Sequence, residues 1–236
     1  MLTCGVDEAG RGPLAGPVTA AAVILPDAFP IERLRDSKRL SPARRTELFA
    51  LITGGAVAWA LGWASHEEID ELNILRASHL AMRRAVDALA VKPERAIVDG
   101  SIVPELGVGA EAIVKADATV PAVMAASILA KVARDRWMEA YGRIEPGYEF
   151  HAHKGYPTAR HRALVEALGP FGDPAQELQR GRPAPRDESP ARFRSSMNSK
   201  TRCIPFRSSP RSSSKNITWR RSKSVSPCFL LSTIVR

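Results

Sequence analysis

The chain has 236 residues, 44% of them hydrophobic and 25% charged, enough for one or two domains with a sizeable core. That balance excludes a wholly disordered chain, a collagen and a small disulfide scaffold. The net charge is +9, and its meaning depends on where it sits.

Residues 1–185 carry 22 basic and 23 acidic side chains; residues 186–236 carry 12 basic and 2 acidic ones. The excess positive charge therefore belongs to the last 51 residues. That segment has one alanine, Ala191, against 34 in the body, and 13 serines against 6. With no helical or strand periodicity apart from a short apolar end, it reads as a disordered basic tail. A solvated tail, an arm that binds phosphates and a stretch of read-through sequence are three readings its composition leaves open. The expected division is a folded body over 1–185 and a tail over 186–236.

Cys4, Cys203 and Cys228 are too scattered for a disulfide framework or a zinc site. The longest uncharged run, Gly12 to Pro26, holds three prolines and two glycines and falls short of the ~20 apolar residues of a membrane helix. The N-terminus shows no basic region followed by an apolar stretch. A reducing, cytoplasmic compartment and no membrane association are the expectation.

Along the body, Thr3 to Asp7 is β-prone and ends in two acids. Val18 to Leu25 is apolar throughout, as in a buried strand. Ser41-Pro42 opens a helix that runs to about Ile52 and stops at Gly54-Gly55. Ala56 to Ala64 reads as a third strand. Ser65 to Glu68 fits a capping box, opening one long helix with Ile69, Leu72, Leu75, Met82, Val86 and Leu89 on its apolar side, ending before Pro93. Ala96 to Asp99 and Ala112 to Lys115 are short strands. Pro121 opens a helix that Gly142 closes, and a last helix spans about Thr158 to Leu168. Strands first, then strands alternating with helices, predict a mixed sheet covered by helices.

Four carboxylates stand out by position. Asp7 and Glu8 end the first strand, Asp99 ends the fourth, and Asp117 lies just past the fifth. Ligands of open sheets collect beyond the carboxyl ends of strands, at a switch point in strand order. Carboxylates that converge repel unless a cation neutralises them. Mg²⁺ or Mn²⁺ suits such oxygen ligands, and two ions about 3.5–4 Å apart can cleave a phosphodiester. Each acid alone also fits a turn or a helix cap. Gly10-Arg11-Gly12-Pro13 follows the first acids. Its glycines admit a close backbone approach to a phosphate or sugar, and its arginine offers a fixed fork of donors. It lacks the Gly-Lys-Ser/Thr ending of a P-loop.

These segments resemble the ribonuclease HII family. Gly5-Val6-Asp7-Glu8-Ala9-Gly10-Arg11-Gly12-Pro13 with Gly16-Pro17-Val18 is similar to its opening motif. Asp36-Ser37-Lys38 with Leu40-Ser41, Val98-Asp99-Gly100, Lys115-Ala116-Asp117 with Ala125 to Asp135, and His153-Lys154-Gly155-Tyr156-Pro157-Thr158 follow in the family's order. The resemblance covers about residues 3–170. It implies a ribonuclease H-like fold, a mixed five-stranded sheet flanked by helices. It implies Mg²⁺- or Mn²⁺-dependent hydrolysis of the RNA strand of RNA–DNA hybrids. It also implies cutting 5′ to ribonucleotides embedded in duplex DNA, leaving a 3′-hydroxyl and a 5′-phosphate. Asp7, Glu8, Asp99 and Asp117 match the family's metal-binding catalytic acids. Gly10, Arg11 and Gly12 match the loop that reads the 2′-hydroxyl, and Tyr156 the tyrosine that packs on the following sugar. Lys38 and Lys154 match basic, phosphate-holding positions.

A monomer that takes hybrid and ribonucleotide-containing duplexes as partners is expected. His151, His153 and His161 are read as surface or phosphate-adjacent, and Trp59, Trp63 and Trp137 as core. The rival reading is a non-catalytic nucleic-acid-binding protein that uses the basic tail. The sister family, ribonuclease HIII, fits less well, because it lacks this Gly-Arg-Gly and carries an extra N-terminal domain.

Overall fold

A computed structural model describes residues 1–34 and 41–169. Lys38, with the Asp36-Ser37-Lys38 motif, and the tail 186–236 with its domain boundary lie outside the described residues. The elements run β1 (Thr3–Ala9), β2 (Val18–Ile24), a 3-10 turn (Ile31–Leu34), α1 (Pro42–Gly55) and β3 (Ala58–Ala64). Next come α2 (His66–Leu72), α3 (Ile74–Asp87), β4 (Arg95–Asp99), β5 (Gly109–Ile113), α4 (Ala116–Thr119) and α5 (Pro121–Ile144). A second 3-10 turn (Pro146–Tyr148), α6 (Phe150–His153) and α7 (Ala159–Leu168) complete the described fold.

The five strands form one sheet in the order β3-β2-β1-β4-β5, with β1-β2 and β2-β3 antiparallel and β1-β4 and β4-β5 parallel. The carboxyl ends of β1, β4 and β5 therefore lie at one end of the sheet. Strand alternation divides the core in two. Cys4 and Val6 of β1, with Ala96 and Val98 of β4, pack against Ala77, Ala81, Met82 and Ala85 of α3. On the other face, Ala21 and Val23 of β2 meet Leu48 and Ile52 of α1 and Ala125, Ile128 and Leu129 of α5.

Two glycines set how closely the helices approach. A Cβ on Gly5 would lie 2.1 Å from the Ala122 carbonyl carbon, and one on Gly62 2.1 Å from the Ala81 carbonyl oxygen. No real Cβ tolerates such a distance from backbone, so α5 and α3 are seated directly on the bare strand. Gly5→Ala is expected to push α5 off β1 and destabilise the fold by about 3 kcal/mol, the upper end of ordinary overpacking. Chemical denaturation measures it, and an unchanged midpoint would show that α5 gives way freely.

Several boundaries differ from the sequence reading. β1 continues to Ala9, because Glu8 and Ala9 pair with Ala20 and Thr19. The expected single helix after Ser65 is two helices. The Ser65–Glu68 capping box is present, but the chain turns at Asn73, whose φ is 73°. The Asn73 side chain then accepts hydrogen bonds from the Leu75 and Arg76 amides and caps α3. α1 ends at Gly55, at the Gly54-Gly55 stop the sequence predicts. β5 ends at Ile113, earlier than expected. α5 passes Gly142, where a Cβ would lie 2.7 Å from the His151 amide nitrogen. His153 and His161 are buried and stacked at 4.2 Å, not on the surface; His151 is exposed. Trp63 and Trp137 are core residues, while Trp59 is half-buried beside Phe49.

Candidate active site

The register of the sheet brings two of the acids together. Val6 pairs with Val98 across the parallel β1-β4 ladder, so the next step along both strands sets Asp7 beside Asp99. Both side chains fall on the α5 face, since Val6 and Val98 belong to the opposite core. Asp7 is 5% exposed, accepts the Glu8 amide at 2.8 Å and is hydrogen-bonded by Ser127 of α5. Burial, then the charges of Glu8 and Asp99, hold its carboxyl well above the usual carboxylate range, against the opposing pull of those two hydrogen bonds.

Glu8 takes the other face of β1 and meets Arg11, whose Nη1 donates to its Oε1 at 3.2 Å. His79 of α3 lies within the field of both, and burial, followed by the Arg11 charge, lowers its pKa. Asp117 is buried in the first turn of α4. Glu8 Oε2 and Asp99 Oδ1 are each buried without a hydrogen-bond partner. Among the described residues, no three acids, histidines or cysteines close on one point as a finished metal cage. Like charges at the end of a sheet stay apart until a cation joins them. Orphaned, buried carboxylate oxygens are the donor set that a hard divalent ion takes.

The loop that follows β1 and the segment that follows α6 meet beside these acids. A Cβ on Gly12 would sit 3.9 Å from Tyr156 Cε1, and the Leu14 amide donates to the Gly155 carbonyl at 2.8 Å. A cavity of about 320 Å³ opens here, lined by Glu8, Gly10, Arg45, Ser127, Lys131 and Tyr156 among others. The structure thus gathers Glu8, Gly10 and Tyr156 around one cavity, with Gly12 next to Tyr156 and Arg11 paired with Glu8. The Lys154 ammonium pairs with Glu139 at 2.9 Å and donates to the His151 carbonyl.

Three cationic residues at this place escaped the sequence reading. Lys131 lies 5.0 Å over the Tyr156 ring and pairs with Asp135 at 2.8 Å. Arg45 reaches the cavity from α1. Arg134 is wholly buried beneath. Helical spacing was the available signal for two of them: Ser127, Lys131 and Arg134 lie at intervals of four and three on one face of α5.

The family model described as Ribonuclease HII matches residues 4–174. This chain belongs to the ribonuclease HII family. The ribonuclease HII of Laribacter hongkongensis is 61% identical over 168 residues, covering 70% of this chain and 85% of that protein. The ribonuclease HII of Moorella thermoacetica is 55% identical over 166 residues, covering 70% of this chain and 81% of that one. The crystal structure of ribonuclease H2 from Pyrococcus horikoshii superposes with a TM-score of 0.61 at 30% identity, covering 77% of this chain and 89% of that one. The fold is that of ribonuclease H, and the chain is a divalent-metal-dependent endoribonuclease that acts on RNA–DNA hybrids. No helix among the described residues is long and apolar enough to cross a membrane.

Proposed function

We propose that this ribonuclease HII also cuts 5′ to single ribonucleotides embedded in duplex DNA, with Asp7, Glu8, Asp99 and Asp117 holding Mg²⁺ or Mn²⁺. The observation that carries the reading is the meeting of Gly12 and Tyr156 beside Asp7, Glu8 and Asp99. A divalent cation held there supplies the positive charge that activates a water and stabilises the leaving oxygen.

The chain's own residues do the rest. Asp7 is held by the Glu8 amide on Oδ1 and by Ser127, which fixes its carboxylate at the strand end. Arg11 bridges from Glu8 toward solvent, where a phosphate can take over one of its donors. Backbone groups of Gly10 to Gly12 read the ribose 2′-hydroxyl, the group that distinguishes RNA from DNA, without reading base identity. Tyr156, 36% exposed, offers its ring to the next sugar. Lys131 and Arg45, on the cavity wall, hold the neighbouring phosphates, together with Lys154 and Lys38. The chain works as a monomer in the cytoplasm.

The test is a duplex carrying one ribonucleotide, compared with the same duplex carrying a 2′-O-methyl group at that position. Cleavage 5′ to the ribonucleotide, abolished by the methyl group, is expected. Equal cutting of both would mean that the 2′-hydroxyl is not read.

The tail 186–236 is expected to be dispensable for catalysis, because every motif precedes it. An enzyme ending at Pro185 keeps its turnover at saturating substrate. If the tail neutralises phosphates, its removal weakens binding and flattens the salt dependence, by about 0.9 in log-log slope for each phosphate the tail had neutralised. Loss of turnover on truncation would show that the tail packs on the body.

A further inference from the structure

We propose that Arg134 is a positioning residue that locks the Gly10–Gly12 loop to Tyr156, and that this lock sets the preference for a lone ribonucleotide over a long hybrid. The proposal rests on the reading that both segments meet the substrate at the ribonucleotide.

Arg134 sits in the middle of α5 with no solvent exposure. Its Nε donates to the Pro17 carbonyl at 2.9 Å and its Nη2 to the Ala15 carbonyl at 3.0 Å, both just beyond the Gly-Arg-Gly loop. Its Nη1 donates to the Lys154 carbonyl at 3.0 Å, two residues before Tyr156. The Tyr156 ring lies 5.8 Å from its guanidinium carbon. One rigid planar fork therefore binds two segments far apart in sequence. Burying a guanidinium carries a desolvation penalty that an apolar side chain would avoid. The three carbonyls offset it only while both segments hold their places.

Gly10 is shaped to this group: a Cβ there would lie 2.6 Å from Arg134 Nε, while one on Gly16 would first meet Met138 Sδ at 2.4 Å. Both have positive φ, 114° and 93°. The internal shape of the tyrosine segment has its own support: His153 Nδ1 accepts the Gly155 amide at 3.2 Å, and its Nε2 faces the Tyr148 carbonyl at 2.8 Å. Arg134, with the Leu14–Gly155 bond, supplies the register between the two segments. Lysine cannot replace it, because a single ammonium has no fork with which to span three carbonyls.

The test uses Arg134→Lys, Tyr156→Ala and the double variant in the full chain. Melting temperatures are measured, with kcat and KM on a duplex holding one ribonucleotide and on a long hybrid. Arg134→Lys is expected to lower the junction-to-hybrid ratio of kcat/KM about tenfold, within the range of coupling between residues in contact. In the Tyr156→Ala background the same substitution should leave the ratio unmoved, because the lock then has nothing to position. Equal losses on both substrates, or the same ratio change with and without Tyr156, would make Arg134 a general core residue and overturn the proposal.

If Arg134→Lys does not fold, Arg134→Gln takes its place, since it keeps a donor and buries no charge; failure of both to fold also overturns the proposal. Tyr156→Ala alone separates the two levels. If it leaves the ratio unchanged, the underlying reading fails and this proposal with it. If it lowers the ratio while the Arg134 variants do not, only the lock is wrong.

Discussion

Asp7→Asn is expected to abolish cleavage, leave substrate binding in place and raise the melting temperature. The asparagine keeps an oxygen for the Glu8 amide, which now binds Asp7 at 2.8 Å, so the local geometry survives. What is lost is a charged ligand. Disturbing even the outer partners of metal ligands lowers activity about 10–100-fold, and loss of an inner acid should exceed 100-fold. The gain in stability follows from crowding. Burial and the charges of Glu8 and Asp99 raise the Asp7 pKa, so ionised Asp7 works against the fold. The sign follows from proton linkage. Below the ordinary carboxylate range Asp7 is protonated both folded and unfolded, and no penalty exists. As pH rises toward the folded value, the unfolded chain releases the proton first, stability falls, and above that value the penalty is constant.

The variant should therefore melt higher at neutral pH, by about 2–4 °C per kcal/mol relieved, with the gap closing in acid. Mg²⁺ should raise the melting temperature of the wild type by mass action and that of Asp7→Asn much less. Cutting by the variant at a near wild-type rate with Mg²⁺ would remove Asp7 from the site. Glu8→Gln, Asp99→Asn and Asp117→Asn should follow the same pattern in activity, with Asp117→Asn the mildest.

Tyr156→Ala should lower kcat/KM on a single embedded ribonucleotide about tenfold more than on a long hybrid, a difference of about 1.4 kcal/mol. At a lone ribonucleotide the next sugar is a deoxyribose, and the ring packs on it more closely than on a ribose. The ring already has neighbours: Lys131 Nζ lies 5.0 Å from its centroid, and a Cβ on Gly12 would lie 3.9 Å from its Cε1. Tyr156→Phe keeps the ring and should stay near wild type. Equal losses on both substrates would mean that Tyr156 serves only the fold.

The order of the motifs and the sheet class were legible because strand runs and strand-end acids are local signals. Thr3 to Asp7 and Val18 to Leu25 differ from the observed strands by no more than two residues at either end. The break at Asn73 was hidden by apolar spacing that continues through both helices; its only local signal was the tolerance of asparagine for positive φ. Gly142 misled for the opposite reason: its small size serves a close approach to His151, not a helix end. The burial of His153 and His161 beneath a Gly-Pro segment depends on Phe150 and the end of α7, which no local pattern discloses. Gly12 and Tyr156 matched family motifs separately, but their contact exists only once Arg134 and the Leu14–Gly155 bond have joined the segments.

The most direct measurement maps the products from a duplex DNA with one internal ribonucleotide, incubated with Mg²⁺, with Mn²⁺, or with a chelator. The account predicts a single cut on the 5′ side of the ribonucleotide, leaving a 3′-hydroxyl and a 5′-phosphate, with either metal and not with the chelator. Cutting that persists in the chelator, or that leaves a 2′,3′-cyclic phosphate, would contradict it.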